Sequence, residues 1–127
     1  MNMFVKSALV SVFMVAAAPA FAGQAVHVFA CEVQDEVTEE KMEAAASAWL
    51  KAAKTMKGGA NLQASLHHPV AAKMDNGDVL FVVSAPSLVE WGIFWNGYKG
   101  SAADKLDQAN TDIACPDSAL WEAVQVK

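Results

Sequence analysis

The sequence contains no arginine, and tyrosine occurs only once among its 127 residues, at Tyr98. Lysine is the only strong base, and 9 lysines face 14 acidic residues, which gives a formal net charge of −5. Recognition of nucleic acid depends on basic patches and on arginine, which can hold a phosphate group through two parallel hydrogen bonds. The composition therefore predicts no nucleic-acid partner and disfavours phosphate recognition.

Motifs that identify common enzyme classes are also missing, since there is no GxSxG, no P-loop and no HExxH pattern. Three histidines occur, at His27, His67 and His68. Neighbouring residues on a strand point to opposite faces, so His67 and His68 would not share one metal ion unless the strand breaks before Pro69. We therefore expect no metal site and no cofactor, and the motifs leave open whether the protein is an enzyme.

A long apolar run occurs only near the N-terminus. Lys6 precedes small and apolar residues from 7 to 18, and Ala20-Phe21-Ala22 then gives the small-x-small pattern that signal peptidase accepts. The run is shorter than the about 20 residues that span a bilayer. The prediction is a signal peptide over residues 1–22, cleavage before Gly23, and a periplasmic or secreted protein with no membrane segment after cleavage.

The remaining residues, 23–127, have the length of one small domain with one modest core. Without Lys6 they carry eight lysines and fourteen acids, a net charge of −6. Cys31 and Cys115 are the only cysteines, and such a pair usually forms a disulfide in an oxidising compartment. Their spacing is unlike that of a metal site, and two buried free thiols are the alternative.

The first half of the domain predicts a strand followed by a long amphipathic helix. Residues 25–33 are rich in β-branched and aromatic side chains and are short enough for a strand. Thr38 is a good N-cap, and Gly58-Gly59 ends a run whose apolar residues recur at helical spacing. That apolar face comprises Met42, Ala45, Ala46, Trp49, Leu50, Ala53 and Met56.

Two further strands joined by a hairpin are predicted next. Residues 61–74 alternate apolar and polar side chains, and Pro69 either places this strand at an edge or breaks it. Asp75-Asn76-Gly77-Asp78 has the composition of a tight type I′ turn. The returning strand, Val79–Ala85, is apolar on both faces until Ser84, which is typical of a strand in mid-sheet with both faces covered.

The last part of the chain predicts a glycine-containing helix, a short helix and a final strand. Ser87-Leu88-Val89-Glu90 is a capping box that opens a helix ending near Tyr98. Residues 101–104 offer a second cap, and a loop through Cys115-Pro116 leads to a last strand over residues 119–126.

The order of these elements is β-α-β-β-α-β, the ferredoxin-like arrangement of the α+β class, with helices on one face of a four-stranded antiparallel sheet. In that topology the end of the first strand, at Cys31, lies near the start of the last, just after Cys115. Two helices cannot cover the second apolar face of residues 79–85, so we expect a two-fold homodimer packed sheet to sheet. Because side chains alternate between the two faces of a strand, the sequence leaves open which set faces the partner. The two possible sets are Val79, Phe81 and Val83, or Leu80 and Val82.

This element order, the doubly apolar strand and the aromatic helix around Glu90-Trp91-Gly92-Ile93-Phe94-Trp95 resemble the dimeric α+β barrel proteins, which include the antibiotic-biosynthesis-monooxygenase-like domains. The resemblance covers most of residues 25–126. It implies that two copies form a barrel-shaped dimer. The members of this group include cofactor-free oxygenases, haem-degrading enzymes and proteins with no known activity. The haem-degrading members use an Asn, a Trp and a His. Asn96 and several tryptophans are present, but no histidine lies on either predicted helix, which puts haem degradation in doubt.

Aromatic residues are concentrated on two predicted helices that face the same side of the sheet. Core packing explains them most simply, since large aromatic rings dominate small cores. A pocket between helices and sheet is the second interpretation, suited to an apolar or aromatic ligand, and glycines in the second helix favour it by leaving room. Its candidate ligand-binding residues are Trp49, Trp91, Trp95, Asn96, Tyr98 and His27.

Three function classes are compatible with this sequence. The leading one is a periplasmic small-molecule-binding or accessory protein of the dimeric α+β barrel type. A cofactor-independent monooxygenase-like enzyme would use the same pocket, whereas a structural protein-interaction module would have a filled interior. A cavity with convergent polar groups would distinguish the first two classes from the third.

Overall fold

A computed structural model describes residues 23–71 and 78–127. The predicted signal peptide over residues 1–22 and most of the predicted turn at residues 75–78 lie outside the described residues. The described chain forms four strands and three helices. They are β1 (Gln24–Val33), α1 (Glu39–Ala53), β2 (Gln63–His67), β3 (Val79–Ala85), α2 (Leu88–Asn96), α3 (Ala102–Ala109) and β4 (Ile113–Ala123).

The four strands form one antiparallel sheet in the order β2-β3-β1-β4. β1 pairs with β3 from Ala25↔Ala85 to Cys31↔Val79, and β4 pairs along the other side of β1. The element order, with one short additional helix before the last strand, confirms the predicted ferredoxin-like α+β fold. The apolar strands β1 and β3 occupy the centre of the sheet, where they can be covered most completely.

α1 begins where the sequence predicted and ends one turn early. The backbone N–H of Lys41 donates to Thr38 Oγ1 at 3.3 Å, so Thr38 is the N-cap. The helix stops at Ala53, because the next residues form tight turns such as the bond from the Met56 N–H to the Ala53 carbonyl oxygen. These turns reach Gly58, whose φ of 79° favours glycine.

The bounds of β2 and β4 differ from the predicted ones. β2 lies at the edge of the sheet and ends at His67, two residues before Pro69, which has no N–H to donate to β3. Both effects that the sequence attributed to Pro69, an edge position and a break, are therefore observed. β4 starts at Ile113 and not at residue 119. Cys115 therefore lies within a strand and not in the loop that the sequence predicted.

Cys31 and Cys115 form the predicted disulfide, and their Cα atoms are 3.9 Å apart. The bridge joins β1 to β4 at a register shift, where Ala30 pairs with Asp117 and Glu32 pairs with Ala114. The ladder is interrupted between these two pairs, as in a β-bulge. The disulfide thus connects the two strands where their backbone pairing is irregular.

α2 and α3 each begin at a serine N-cap. Ser87 Oγ accepts from the backbone N–H of Glu90 at 3.2 Å, and Ser101 Oγ accepts from the backbone N–H of Asp104 at 3.1 Å. α2 ends at Asn96, close to the predicted end. All three helices lie on one face of the sheet, so the core is sandwiched between that face and the helices.

The sequence left open which alternate residues of β3 face the core. The position of the helices on one side of the sheet decides this. Val79 and Val83 are at most 2% exposed and belong to the core between helices and sheet. Strand alternation directs Leu80 and Val82 to the opposite face, which no described element covers. We call this the open face; its apolar residues are Val26, Val28, Leu80, Val82, Ala119 and Trp121.

Candidate functional site

A cavity of about 420 Å³ lies on the helix-covered face of the sheet, between α1 and α3. The three strands β1, β2 and β3 supply its floor, and α1 supplies one wall. α3 and the segment that leads into β4 supply the opposite wall. The floor and the inner wall are apolar and comprise Phe29, Met42, Trp49, Leu66, Val79 and Phe81.

Small residues on α1 leave the space open. Ala45 and Ala46 both line the cavity and are half-buried. The disulfide between Cys31 and Cys115 lines the cavity as well, so it fixes the β4 side of the wall to β1. A bulky side chain at either alanine would project into the cavity.

The polar lining residues lie on the helices and on the connection to β4, above the apolar floor. Lys41 comes from α1, Asp107 from α3, and Asn110 and Asp112 from the segment before β4. Lys41, Asp107 and Asp112 are exposed, so they lie where the cavity meets solvent. Within the described chain none of these three charged groups takes part in an ion pair. We call these four residues the polar rim.

A chain of hydrogen bonds runs along the cavity wall from Trp49 through Tyr98 to Asp107. The Trp49 Nε1–H donates to the Tyr98 hydroxyl at 3.0 Å, and that hydroxyl donates to Asp107 Oδ2 at 3.5 Å. Burial, helped by the carboxylates of Asp107 and Asp104, raises the pKa of Tyr98 to about 12. Partial burial of its carboxyl group and the nearby carboxylate of Asp104 also raise the pKa of Asp107, although the residue as a whole is exposed. The phenol therefore stays protonated at neutral pH and acts as a hydrogen-bond donor in the wall.

Trp91, Trp95 and Tyr98 form a stack along α2 and the residues just after it. Ring centroids are 5.5 Å apart between Trp91 and Trp95 and 5.0 Å apart between Trp95 and Tyr98, with interplanar angles of 19° and 11°. Their spacing of four and three residues places them on one side of the helix. Trp91 is 3% exposed, whereas Trp95 and Tyr98 line the cavity. The stack thus connects the core to the cavity wall.

His27 lies on β1, one layer behind the cavity wall. Its ring stacks on Phe29 with centroids 4.1 Å apart, and its centroid is 5.4 Å from that of Trp95. Both neighbours line the cavity, but His27 does not. The residue is 7% exposed, and its Nδ1 has no hydrogen-bond partner among the described residues. Burial lowers the pKa of His27, so the imidazole is neutral at pH 7.

The structure brings part of the predicted set of site residues to this cavity: Trp49, Trp95 and Tyr98 line it. The other three predicted residues do not. Trp91 belongs to the core, and His27 lies behind the wall. Asn96 lines a separate pocket beside Met56 and Ile93.

Gly92, Gly97 and Gly100 do not line this cavity, contrary to the sequence argument that they leave room for it. Gly92 is exposed, and a Cβ added there would meet no atom within 4 Å. The cavity owes its room to Ala45 and Ala46 on α1, which the sequence identified only as members of an apolar helix face.

Sequence reasoning missed the polar rim. Asp107, Asn110 and Asp112 stand in a short helix and a connection that carry no recognisable motif. One signal was available, because the disulfide at Cys115 draws the segment just before it toward Cys31 on β1. The preceding polar residues then lie at the same end of the sheet.

The described residues show neither a metal-ligand cluster nor a membrane-spanning helix. No three His, Cys, Asp or Glu side chains in residues 23–71 and 78–127 come together as a possible metal site. None of the helices in these ranges is long and apolar enough to cross a membrane.

Comparison with known proteins finds similarity to solved structures at low sequence identity. No protein-family model and no curated protein matches the chain. A dimeric ferredoxin-like protein of unknown function from Thermobifida fusca is 14% identical, with a TM-score of 0.49, over 80% of this chain and 92% of that chain. A dimeric protein of unknown function and ferredoxin-like fold from Bacteroides fragilis is 13% identical, with a TM-score of 0.41, over 80% of this chain and 98% of that chain.

Proposed function

We propose that this protein is an exported small-molecule-binding protein that holds an apolar or aromatic ligand in the cavity between α1, α3 and the sheet. The observation that carries the proposal is the cavity itself. Its volume of about 420 Å³ falls in the range of roughly 300–1,000 Å³ that is usual for ligand pockets. Its apolar floor and few polar groups have the composition of such pockets.

The lining residues indicate how a ligand would lie. Phe29, Trp49 and Phe81 offer ring surfaces at the floor, so the apolar part of the ligand points inward. The polar rim lies toward solvent, so a polar group of the ligand points outward. Burial of the apolar part supplies the binding free energy, and the rim supplies orientation.

Export is part of the proposal. The N-terminal pattern of residues 1–22 indicates a signal peptide, and the disulfide between Cys31 and Cys115 supports an oxidising compartment as the place of work. The proposed location is the periplasm or the outside of the cell.

A homodimer through the open face is also proposed. Leu80, Val82 and Val28 form an apolar centre on that face, and Trp121 beside them is 61% exposed. An apolar sheet face of this kind is covered in stable proteins, and a two-fold contact covers it on both copies with a single interface. The cavity lies on the other face of the sheet, so dimerisation leaves the cavity accessible.

The experiment that tests ligand binding fills the cavity from α1. Ala46→Trp places an indole in the cavity, whereas Ala44→Trp places the same indole at an exposed position of α1 that does not line it. The probe is N-phenyl-1-naphthylamine, a neutral compound that fluoresces in apolar surroundings. We expect A46W to weaken its binding by at least about tenfold and A44W to leave it unchanged. Equal binding by A46W and the unmodified protein contradicts the proposal.

A cofactor-independent monooxygenase-like enzyme in the same cavity is the second candidate. One observation favours it: Asp107 lines the cavity and has a raised pKa, as a general base does. Such an enzyme would consume molecular oxygen with an aromatic substrate, and Asp107→Asn would abolish that consumption. A structural module with a filled interior agrees less well with a cavity of this size.

A further inference from the structure

We propose that the cavity selects an organic cation, meaning a small ligand with an aromatic or alkyl body and an ammonium group. This inference rests on the proposed ligand-binding function and names the class of ligand. Three features of the cavity carry it: its ring faces, the carboxylates of its rim and the scarcity of basic groups around it.

Aromatic rings line the cavity. Trp49 and Tyr98 line the cavity with ring centroids 6.3 Å apart. Trp95 lines it as well, but it is stacked between Trp91 and Tyr98, which cover much of its two faces. The faces of tryptophan and tyrosine carry partial negative charge, so they attract an ammonium group more strongly than they attract a neutral group of the same shape. Several such rings around one cavity are the usual surroundings of a bound organic cation.

Two carboxylates also line the cavity, and that of Asp107 is hydrogen-bonded to Tyr98. Asp107 Oδ2 accepts from the Tyr98 hydroxyl, while Oδ1 has no donor among the described residues. The side chain of Asp112 lines the cavity with no hydrogen bond or ion pair in the described part of the chain. These two groups offer acceptors and negative charge that the protein itself does not neutralise. An ammonium group beside Tyr98 would meet the carboxylate of Asp107 as well.

Few basic groups line the cavity to repel a cation. Lys41 is the one basic residue among those that line the cavity in the described part of the chain. It is exposed, and its long stem lets the ammonium group turn toward solvent. The sequence has no arginine, the residue best suited to hold a carboxylate or phosphate ligand. A ligand with a negative head group would therefore face two carboxylates and find one mobile lysine.

The test uses three probes of matched shape that compete with N-phenyl-1-naphthylamine on the full exported protein. Phenethylamine carries the cation, propylbenzene is its neutral isostere, and 3-phenylpropanoate carries an anion. We expect phenethylamine to bind at least about fivefold more tightly than either of the others. A factor of this size corresponds to a partly desolvated cation–π contact with a carboxylate nearby.

Variants show which groups supply the preference. Asp107→Asn and Asp112→Asn should each lower the ratio of phenethylamine to propylbenzene affinity by about threefold. Asp117→Asn is the matched control, because Asp117 pairs with Ala30 and lies on the open face of the sheet. It should leave the ratio unchanged.

The outcomes separate the two proposals. Propylbenzene or 3-phenylpropanoate binding as tightly as phenethylamine overturns the cation inference and leaves ligand binding in place. A ratio that stays constant in D107N and D112N also overturns the inference. Failure of all four compounds to bind overturns the proposed function, and the inference falls with it.

Discussion

At the scale of single residues, His27 is a polar side chain buried in apolar surroundings. Its imidazole is buried among Phe29, Trp91 and Trp95, and its Nδ1 has no partner among the described residues. Burial lowers its pKa below the ordinary value of 6.5. Above pH 6.5 the group is neutral in both the folded and the unfolded chain. Below that pH the unfolded chain takes up the proton first, so the free energy of unfolding falls as the pH falls.

We predict that His27→Phe removes this loss of stability. The measurement is urea unfolding at a series of pH values between 7 and 5, with the variant compared with the unmodified protein at each pH. The contribution of one histidine is at most about 1.4 kcal/mol per pH unit. His27→Phe keeps the stack on Phe29 and removes the unpaired nitrogen, so it should also stabilise the protein at pH 7.

His27→Asn is the control, since it keeps a polar group but does not titrate. It should flatten the pH dependence in the same way while lowering the stability at pH 7. If both variants keep the pH dependence of the unmodified protein, the account of His27 is wrong.

The residue scale also shows what the sequence could not predict about the site. Aromatic residues on helices could be recognised, and Trp49, Trp95 and Tyr98 do line the cavity. Trp91 and Asn96 belong to the same helix, but a helix turns by about 100° per residue, so Trp91 faces the core while Asn96 lines a pocket on another side. Asp107 was missed, because its role depends on the hydrogen bond from Tyr98, nine residues away, and only the disulfide at Cys115 pointed to this part of the chain.

At the scale of elements, α2 is weakened by Gly92 in its interior. No atom lies within 4 Å of a Cβ added at this position, so an alanine fits without movement. We predict that Gly92→Ala raises the free energy of unfolding by about 0.5–1 kcal/mol, since alanine loses less backbone entropy in a helix. The measurement is the urea midpoint with an unchanged slope.

Gly59→Ala is the contrasting variant. A Cβ there would collide with the carbonyl oxygen of Ala53 at the end of α1. That substitution should lower the free energy of unfolding by at least about 1 kcal/mol. Equal effects of the two substitutions would contradict the packing described for these glycines.

The disulfide acts on the pair of strands β1 and β4. Cys31 and Cys115 are separated by 84 residues, so closing this loop restricts the unfolded chain considerably. We predict that Cys31→Ala together with Cys115→Ala lowers the free energy of unfolding by about 4 to 5 kcal/mol in the loop-entropy treatment.

Reduction of the disulfide in the unmodified protein is the matched comparison. It should lower the free energy of unfolding by a similar amount. The double variant should also bind N-phenyl-1-naphthylamine less tightly, because the disulfide holds one wall of the cavity. Two thiols that react with an alkylating reagent in the unreduced, folded protein would contradict the bridge.

Element type and order were largely predictable, and element bounds were not. The period of the apolar residues identifies α1, and the doubly apolar run identifies β3, because packing in the centre of a sheet demands both faces. The start of β4 at Ile113 was missed, since Cys115-Pro116 is typical of a loop. There the pairing with β1 and the disulfide outweigh local preference.

At the scale of the whole molecule, the open face is an apolar surface that no described element of a single copy covers. Val82→Lys would place an unpaired charge in the proposed interface, so we expect a folded monomer in sedimentation. Val83→Lys, one residue further along β3, is the control. Val83 is fully buried between sheet and helices, so that substitution should unfold the domain. If V82K sediments as the unmodified protein does, Val82 does not lie in an interface.

The measurement that tests the account most directly is native mass spectrometry of the protein recovered from the periplasm of a cell that exports it. We expect the mass of two copies that each begin at Gly23, plus a small-molecule mass that disappears when the protein is denatured. A46W should form the same dimer without the additional mass. A single unliganded copy that keeps residues 1–22 would contradict export, the dimer and the ligand together.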